Sequence, residues 1–294
     1  MTAVKFRDMK FGVTRVKMRE GENGIRYMVA DQALAPYPER MTDRLVHWAK
    51  EKPTQTLFAR RAKQADGTSG DWQHISFAQA LDSARHIAQG LINRGLSADR
   101  PVVILSENDL EHALMALGCL VAGVPYCPAS PAYSTISQDY DKLRHILSTL
   151  TPGLVFAADA ARYGKAIQTA VGADVEVVLT HGTAQGHTNT SFADLLATPI
   201  TPAVDAAMQA TGPDTIAKFL FTSGSTKMPK AVMNTNRMWC ANQQQMCQSM
   251  PLLAEQPPVL IDWLPWNHTF GGNHNFGMVI YNGGTLYIDD GKPT

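Results

Sequence analysis

The sequence predicts an α/β fold of largely parallel sheets flanked by helices. Two observations carry that reading. Apolar runs of strand length alternate with stretches of helical periodicity through most of the chain before residue 200. The segments joining successive runs are also long enough to be crossovers, which parallel pairing requires. Composition agrees. With 294 residues and 45% hydrophobic content, the chain can bury the core of one large or two modest domains. Charged residues are 18%, below the roughly 25% of typical soluble domains. A formal net charge of zero points to neither a nucleic acid nor an anionic membrane surface as partner.

Residues 1–40 are charged, end in Ala-Pro-Tyr-Pro-Glu-Arg, and read as a peripheral leader without the apolar region of a signal peptide. An α/β subdomain is expected over 41–200, and a second one begins at 201 and runs to 294. Met41–Lys50 has helical spacing, Thr56–Arg60 is a strand, and the polar run Asp66–Gly70 is a turn. Ser76 and Gln79 form a capping-box pattern before a helix over 77–94, which Gly95 ends. Pro101–Ser106 is a buried strand. Asn108 with Glu111 opens a helix over 109–121, and Gly123 closes it before the strand Val124–Cys127. Helices at Tyr140–Leu150 and Ala160–Val171 then alternate with strands at Leu154–Ala158 and Val175–Leu179. Thr180–Asn189 reads as a surface loop and Pro199–Pro213 as a linker. Beyond it lie a helix over Asn236–Met250, a strand from Val259 to Pro265, a helical Phe276–Tyr281, a hairpin-like Asn282–Gly284 and a strand over Thr285–Ile288. The longest uncharged stretch, Ala113–Gln138, loses its apolar character near Cys127, short of the roughly 20 residues of a membrane span. Cys119, Cys127, Cys240 and Cys247 form no Cys-x-x-Cys and read as buried thiols of a reducing, cytoplasmic compartment.

Chemistry concentrates in Lys218–Val232. After the short apolar run Phe219–Phe221, Thr222, Ser223, Gly224, Ser225 and Thr226 place four hydroxyls and one glycine in five positions. Lys227 and Lys230 add cations around Met228-Pro229. Hydroxyls and backbone N–H groups can ring phosphate oxygens, and a glycine permits close backbone approach. A polar hairpin turn with surface lysines is the other reading. A P-loop would need glycine where Pro229 stands, and no nucleophile elbow fits Ser223 or Ser225.

The run Thr222-Ser-Gly-Ser-Thr226 with Pro229-Lys230 resembles the phosphate-binding loop of the adenylate-forming enzymes, which include acyl- and aryl-CoA synthetases, luciferases and peptide-synthetase adenylation domains. It departs at Lys227 and Ala231, where glycine is usual. Leu264-Pro265-Trp266-Asn267-His268-Thr269-Phe270-Gly271 is similar to a Leu-Pro-x-x-His-x-x-Gly segment of the CoA synthetases, and Ala122–Pro128 is similar to another stretch of theirs. The nearest likeness is to bacterial feruloyl-CoA synthetases, on the Pro-Tyr-Pro-Glu-Arg leader, Pro-Lys-Ala and the Trp-Asn-His-Thr-Phe-Gly-Gly-Asn run.

The resemblance implies the N-terminal portion of such an enzyme's large domain. It also implies ATP-dependent activation of an aromatic carboxylic acid such as ferulate, then transfer to coenzyme A. ATP, Mg²⁺ and CoA would be the cofactors and a small-molecule acid the partner. Thr222, Ser223, Gly224, Ser225, Thr226 and Lys227 would bind phosphate, and Lys230 and His268 would act in catalysis. Trp266, His268, Phe270 and Gly271 would line the acid pocket, among Trp263 and Phe276. For His268 a hydrogen-bonded, partly buried histidine is the alternative. His268 and His274, six apart, do not have the spacing of a metal helix. The family's later aromatic-Gly-x-Thr-Glu motif does not occur, so the chain by itself is expected not to complete turnover. A nucleotide- or partner-binding piece and a peptide-synthetase type of adenylation are the alternative functions.

Overall fold

The computed structural model describes residues 10–63, 68–222 and 228–291. It has the expected α/β architecture. A hairpin, β1 (Val16–Glu20) and β2 (Arg26–Ala30), leads the chain with every residue exposed. Helix α1 (Met41–Glu51) is followed by β3 (Thr56–Lys63) and β4 (Ser69–Ser76), an antiparallel pair. The second of these strands was not expected, because its alternation of exposed and half-buried residues carries only a faint apolar period. Of the turn expected at Asp66–Gly70, residues 66 and 67 lie outside the described residues, and Ser69 and Gly70 belong to β4.

Helix α2 (Phe77–Asn93) begins with the expected capping box. Ser76 Oγ accepts from Gln79 N at 3.2 Å, and Gln79 Oε1 accepts from Ser76 N at 2.9 Å. Strand β5 (Val102–Leu105) leads into α3 (Leu110–Ala122), which ends at Gly123 in the left-handed region, φ 69°. The expected N-terminal cap was displaced by one residue. Asp109 Oδ1 accepts from His112 N at 2.6 Å, while Asn108 is engaged elsewhere.

Strand β6 (Tyr126–Pro128), the short α4 (Ala132–Thr135) and α5 (Asp141–Leu150) come next. They are followed by β7 (Leu154–Asp159), α6 (Ala160–Ala170), β8 (Glu176–His181), β9 (Asn189–Ser191) and α7 (Phe192–Leu196). The stretch read as a linker holds a helix, α8 (Ala203–Ala210). Val204 is fully buried there and Asp205 pairs with Arg85 of α2, so tertiary contacts stabilise what Pro199 and Pro213 had made look like a connector.

The chain closes with β10 (Ile216–Thr222), β11 (Lys230–Thr235), α9 (Asn236–Ser249), the short α10 (Leu252–Glu255) and β12 (Val259–Asp262). A π-type turn (Phe270–Asn275), α11 (Phe276–Asn282) and β13 (Thr285–Ile288) complete it. Asn282–Gly284 is not a hairpin. Gly283, φ 67°, ends α11, and β13 lies parallel to β12, so the turn and helix form a crossover.

Seven strands form one sheet in the order β11-β10-β6-β5-β7-β8-β9, parallel except between β10 and β11. Four form a second, β12-β13-β3-β4, with strands from either side of residue 200 in both sheets. Alternation along β5 feeds two cores: Val103 and Leu105 meet α5 and α6, whereas Val102 and Ile104 face α2 and α3. This second cluster runs through Ala84, Ile87 and Leu117 to Phe58, Leu286 and Ile288 of the smaller sheet, so α2 and α3 are packed between the two sheets.

The two helices touch at Gly118. A Cβ there would lie 2.3 Å from Ile87 Cγ2 and 2.6 Å from Ile87 Cβ. Gly118→Ala is therefore expected to destabilise the protein by about 1–3 kcal/mol of overpacking, against a gain of about 1 kcal/mol in helix propensity. Urea denaturation checks this, and a midpoint above wild type would show that the helices separate at little cost.

The thiols of Cys119, Cys127 and Cys240 are buried and that of Cys247 half-buried. Burial pushes all four above the usual thiol range. None of the four forms a disulfide. Among the described residues no helix is long and apolar enough to cross a membrane.

Candidate active site

After an irregularity between Ile216 and Lys218, strand β10 alternates. Phe219 and Phe221 face the core of α5 and α6, while Lys218, Leu220 and Thr222 point to the other side. Antiparallel register with β11 pairs Lys218 with Asn234, Leu220 with Val232 and Thr222 with Lys230, so all six share one sheet face. Thr222 and Lys230, both exposed, stand opposite each other where the connection begins and ends. Ser223, Gly224, Ser225, Thr226 and Lys227 lie outside the described residues. On its far side the connection is held by His145 of α5, whose Nε2 donates to Pro229 O at 2.9 Å. That tie was invisible in the sequence because 84 residues separate the partners.

The segment after β12 is built on backbone contacts. Asp262 Oδ1 accepts from Leu264 N at 3.1 Å. Asn108 donates from Nδ2 to Leu264 O at 2.9 Å and accepts at Oδ1 from Trp266 N at 3.1 Å. This is why Asn108 does not cap α3: its amide matches one donor and one acceptor of a distant strand end.

Gly271 and Gly272 then let the π-type turn lie directly on that backbone. A Cβ on Gly271 would come within 2.4 Å of Leu264 O, and one on Gly272 within 2.2 Å of Trp266 O. Gly271 is thus a packing glycine beneath the site and lines neither cavity described below.

Trp266 is buried, edge-on to His112 and to Phe276 with ring centroids 4.9 Å apart in each case, and its indole Nε1 has no hydrogen-bond partner among the described residues. His268 is exposed, not the partly buried histidine of the alternative reading.

Two cavities flank this segment. The first, about 430 Å³, is lined by Asn108, Pro128, Arg162, Trp266 and His268 among others. It opens at the carboxyl ends of β5 and β6, beside the point where the chain leaves β5 toward β6 on one side and returns to β7 on the other. In an open α/β sheet this reversal of strand order leaves a crevice suited to a ligand. Arg162 at its rim is paired with Glu107 through bonds of 2.6 and 2.8 Å, and this pairing raises its already high pKa.

The second cavity, also about 430 Å³, is walled by Met238, Trp239, Phe270 and His274, with the amides of Asn234, Asn242 and Asn273. Phe270 lies parallel to His274 at 4.6 Å and is exposed toward solvent. Asn273 donates from Nδ2 to Asn234 Oδ1 at 2.8 Å, whereas its own Oδ1 is buried without a partner among the described residues. The residues expected to share one pocket therefore divide: Trp266 and His268 line the first cavity and Phe270 the second. The chain crosses from one side of the segment to the other between His268 and Thr269, just before the π-type turn.

Two further groups escaped sequence reasoning. His112, in the first turn of α3, is fully enclosed, and burial lowers its pKa to about 4 against the opposing pull of Glu107 O, 3.0 Å from its Nδ1. Lys218 is completely buried, and burial alone holds its amine well below the usual lysine range. Only its place at the head of an apolar strand run hinted at this. Among the described residues no group of three His, Cys, Asp or Glu side chains could hold a metal ion.

The family model for AMP-binding enzymes matches residues 45–294. A substituted indenyl-propanoyl:CoA ligase of Rhodococcus jostii is 28% identical over 252 residues, covering 80% of this chain and 48% of that protein. Fatty acyl-CoA synthetase B of Dictyostelium discoideum is 28% identical over 207 residues, 66% of this chain and 30% of that one. The chain thus spans about half the length of the first relative and less of the second. Among solved structures, the fold is similar to a fatty acyl-adenylate ligase from L. pneumophila in complex with acyl adenylate and pyrophosphate. The TM-score is 0.62 at 20% identity, covering 85% of this chain and 39% of that one.

Proposed function

Because this chain belongs to the AMP-binding enzyme family, we propose that it carries the phosphate-binding and acid-binding parts of an enzyme that activates an aromatic carboxylic acid with ATP and passes it to coenzyme A. A carboxylate oxygen attacks the α-phosphorus of ATP, the bond to pyrophosphate breaks, and an acyl adenylate forms. The thiol of CoA, losing its proton, then attacks the acyl carbon and AMP leaves with the bonding electrons. Both carboxylate and triphosphate are anions, so the first step needs cationic and N–H donors to offset their repulsion. Hydroxyls and amides of residues 222–226 would hold the departing phosphates, and Lys230 would neutralise charge beside them. ATP would enter as its Mg²⁺ complex, whose ion neutralises phosphate charge.

One observation carries this reading. The sheet face that presents Thr222 and Lys230 at the mouth of the loop also meets the turn that walls the aromatic cavity, through Lys218 and Asn234. Phosphate and acid sites on a common rigid face can bring carboxylate and α-phosphorus together. Flat rings at Phe270, His274 and Trp239 suit an aromatic acid, and the unpartnered Asn273 Oδ1 suits a phenolic O–H. His268, in the neighbouring cavity, would face the reacting carboxyl end from the side of the thiol.

The test is ATP–pyrophosphate exchange in the complete protein. Exchange should depend on an added acid such as ferulate, and CoA should then yield an absorbing thioester. In Lys230→Ala, exchange should fall roughly ten- to a hundredfold, the loss expected for one charge-assisted contact, while the melting temperature stays the same. Exchange without thioester formation would point to a peptide-synthetase type of adenylation. No acid-dependent exchange with any carboxylic acid would return the loop to a solvated turn.

A further inference from the structure

Lys218 has no role in the chemistry just described, yet few lysines are so completely enclosed. It stands on β10 four residues before Thr222, about 13 Å along the strand, on the same face. Its Nζ donates to Gly272 O at 2.7 Å, lies 3.4 Å from the centre of a Trp239 ring, and is 5.6 Å from that of Tyr126.

The next carbonyls of the π-type turn are held in the same manner. Trp239 Nε1 and Gln243 Nε2 each donate to Asn273 O at 2.9 Å, and Gln243 reaches His274 O at 3.4 Å. Strand β10, which runs into the loop, and α9, which follows β11, therefore grip three consecutive carbonyls of the turn that carries Phe270 and His274.

We propose that Lys218 is a positioning residue for the acid: through Gly272 O and the face of Trp239 it holds the aromatic wall of the second cavity in register with the strand that runs into the phosphate loop. The assignment rests on the reading of that cavity as the acid site. A buried lysine is a costly way to tie down a turn. Replacing such a group by an apolar side chain of similar volume is commonly neutral or stabilising, so a role confined to stability would be met better by methionine. Lysine adds a directed N–H donor to one carbonyl and places its amine on the face of one ring, both of which fix geometry.

The experiment compares wild type with Lys218→Met by thermal melting, calorimetric titration with ATP–Mg²⁺ and with ferulate, and hydrogen exchange of residues 270–275. The expected result is an unchanged or higher melting temperature, ATP affinity within twofold, ferulate affinity at least tenfold weaker, and exchange at 270–275 at least tenfold faster. Should Lys218→Met not fold, Trp239→Phe keeps a ring beside the amine but loses the N–H to Asn273 O. It should show the same selective loss in smaller degree. Equal ferulate affinity in wild type and the folded variant overturns the positioning role alone, as does equal weakening of ATP and ferulate. Wild type that binds ATP but no aromatic acid overturns the reading of the cavity, and the role with it.

Discussion

Replacing Trp239 with alanine is expected to lower the unfolding free energy by about 3–5 kcal/mol, the usual cost of truncating a large buried aromatic. The indole is 1% exposed and stacks on Phe276 at 6.3 Å. It fits so closely against α11 that a Cβ on Gly277 would lie 2.3 Å from its Nε1. Its removal leaves a cavity, takes one donor from Asn273 O, and strips the ring from the buried Lys218 amine. Each of these changes acts in the same direction. Urea denaturation monitored by far-ultraviolet circular dichroism measures the loss, and a decrease below about 1 kcal/mol would mean that the indole contributes little to the core.

Acidification is expected to remove about 3 kcal/mol of stability through His112 as pH falls from about 6.5 to about 4. The sign follows from proton counting. Burial lowers the folded-state pKa of His112 to about 4, whereas in the unfolded chain the imidazole titrates near 6.5. Between these values the unfolded chain binds the extra proton, so stability present above about 6.5 is lost as pH falls through the folded value. Asp109 and Glu111, raised by burial, act in the opposite sense. The informative quantity is therefore the difference between wild type and His112→Gln, which cannot titrate. Unfolding free energies at pH 7 and pH 4.5 should diverge for wild type relative to the variant, and parallel slopes would place the imidazole in contact with solvent.

The first helices of the large sheet were legible because their signals are local. The Ser76–Gln79 box, the apolar steps of α2 and the glycine stops at 95 and 123 each lie within a few residues of the structure they specify. The family was likewise legible in the Thr222–Lys230 and Trp266–Gly271 runs, because such motifs are residue types at short spacing. What failed were readings that needed to know a distant partner. Asn108 looks like a cap until the strand end at 264–266 arrives to use both sides of its amide. Residues 203–210 look like a linker until α2 and α3 offer a surface for Val204. Asn282–Gly284 looks like a hairpin until β3 and β12 take up β13 in parallel register.

Lys218 and His112 mark the boundary most sharply. By itself the sequence determined that a lysine heads an apolar strand and that a histidine sits in the first turn of an apolar helix. Only the tertiary structure decided that the lysine amine would lie against Trp239 and the carbonyl of Gly272, and that the imidazole would be sealed beneath Trp266. Periodicity tells which side of an element is apolar, because that follows from backbone geometry over one or two turns. It does not tell what will pack against that side. The solvation of a charged group is set by those distant neighbours, through the cost of removing it from water.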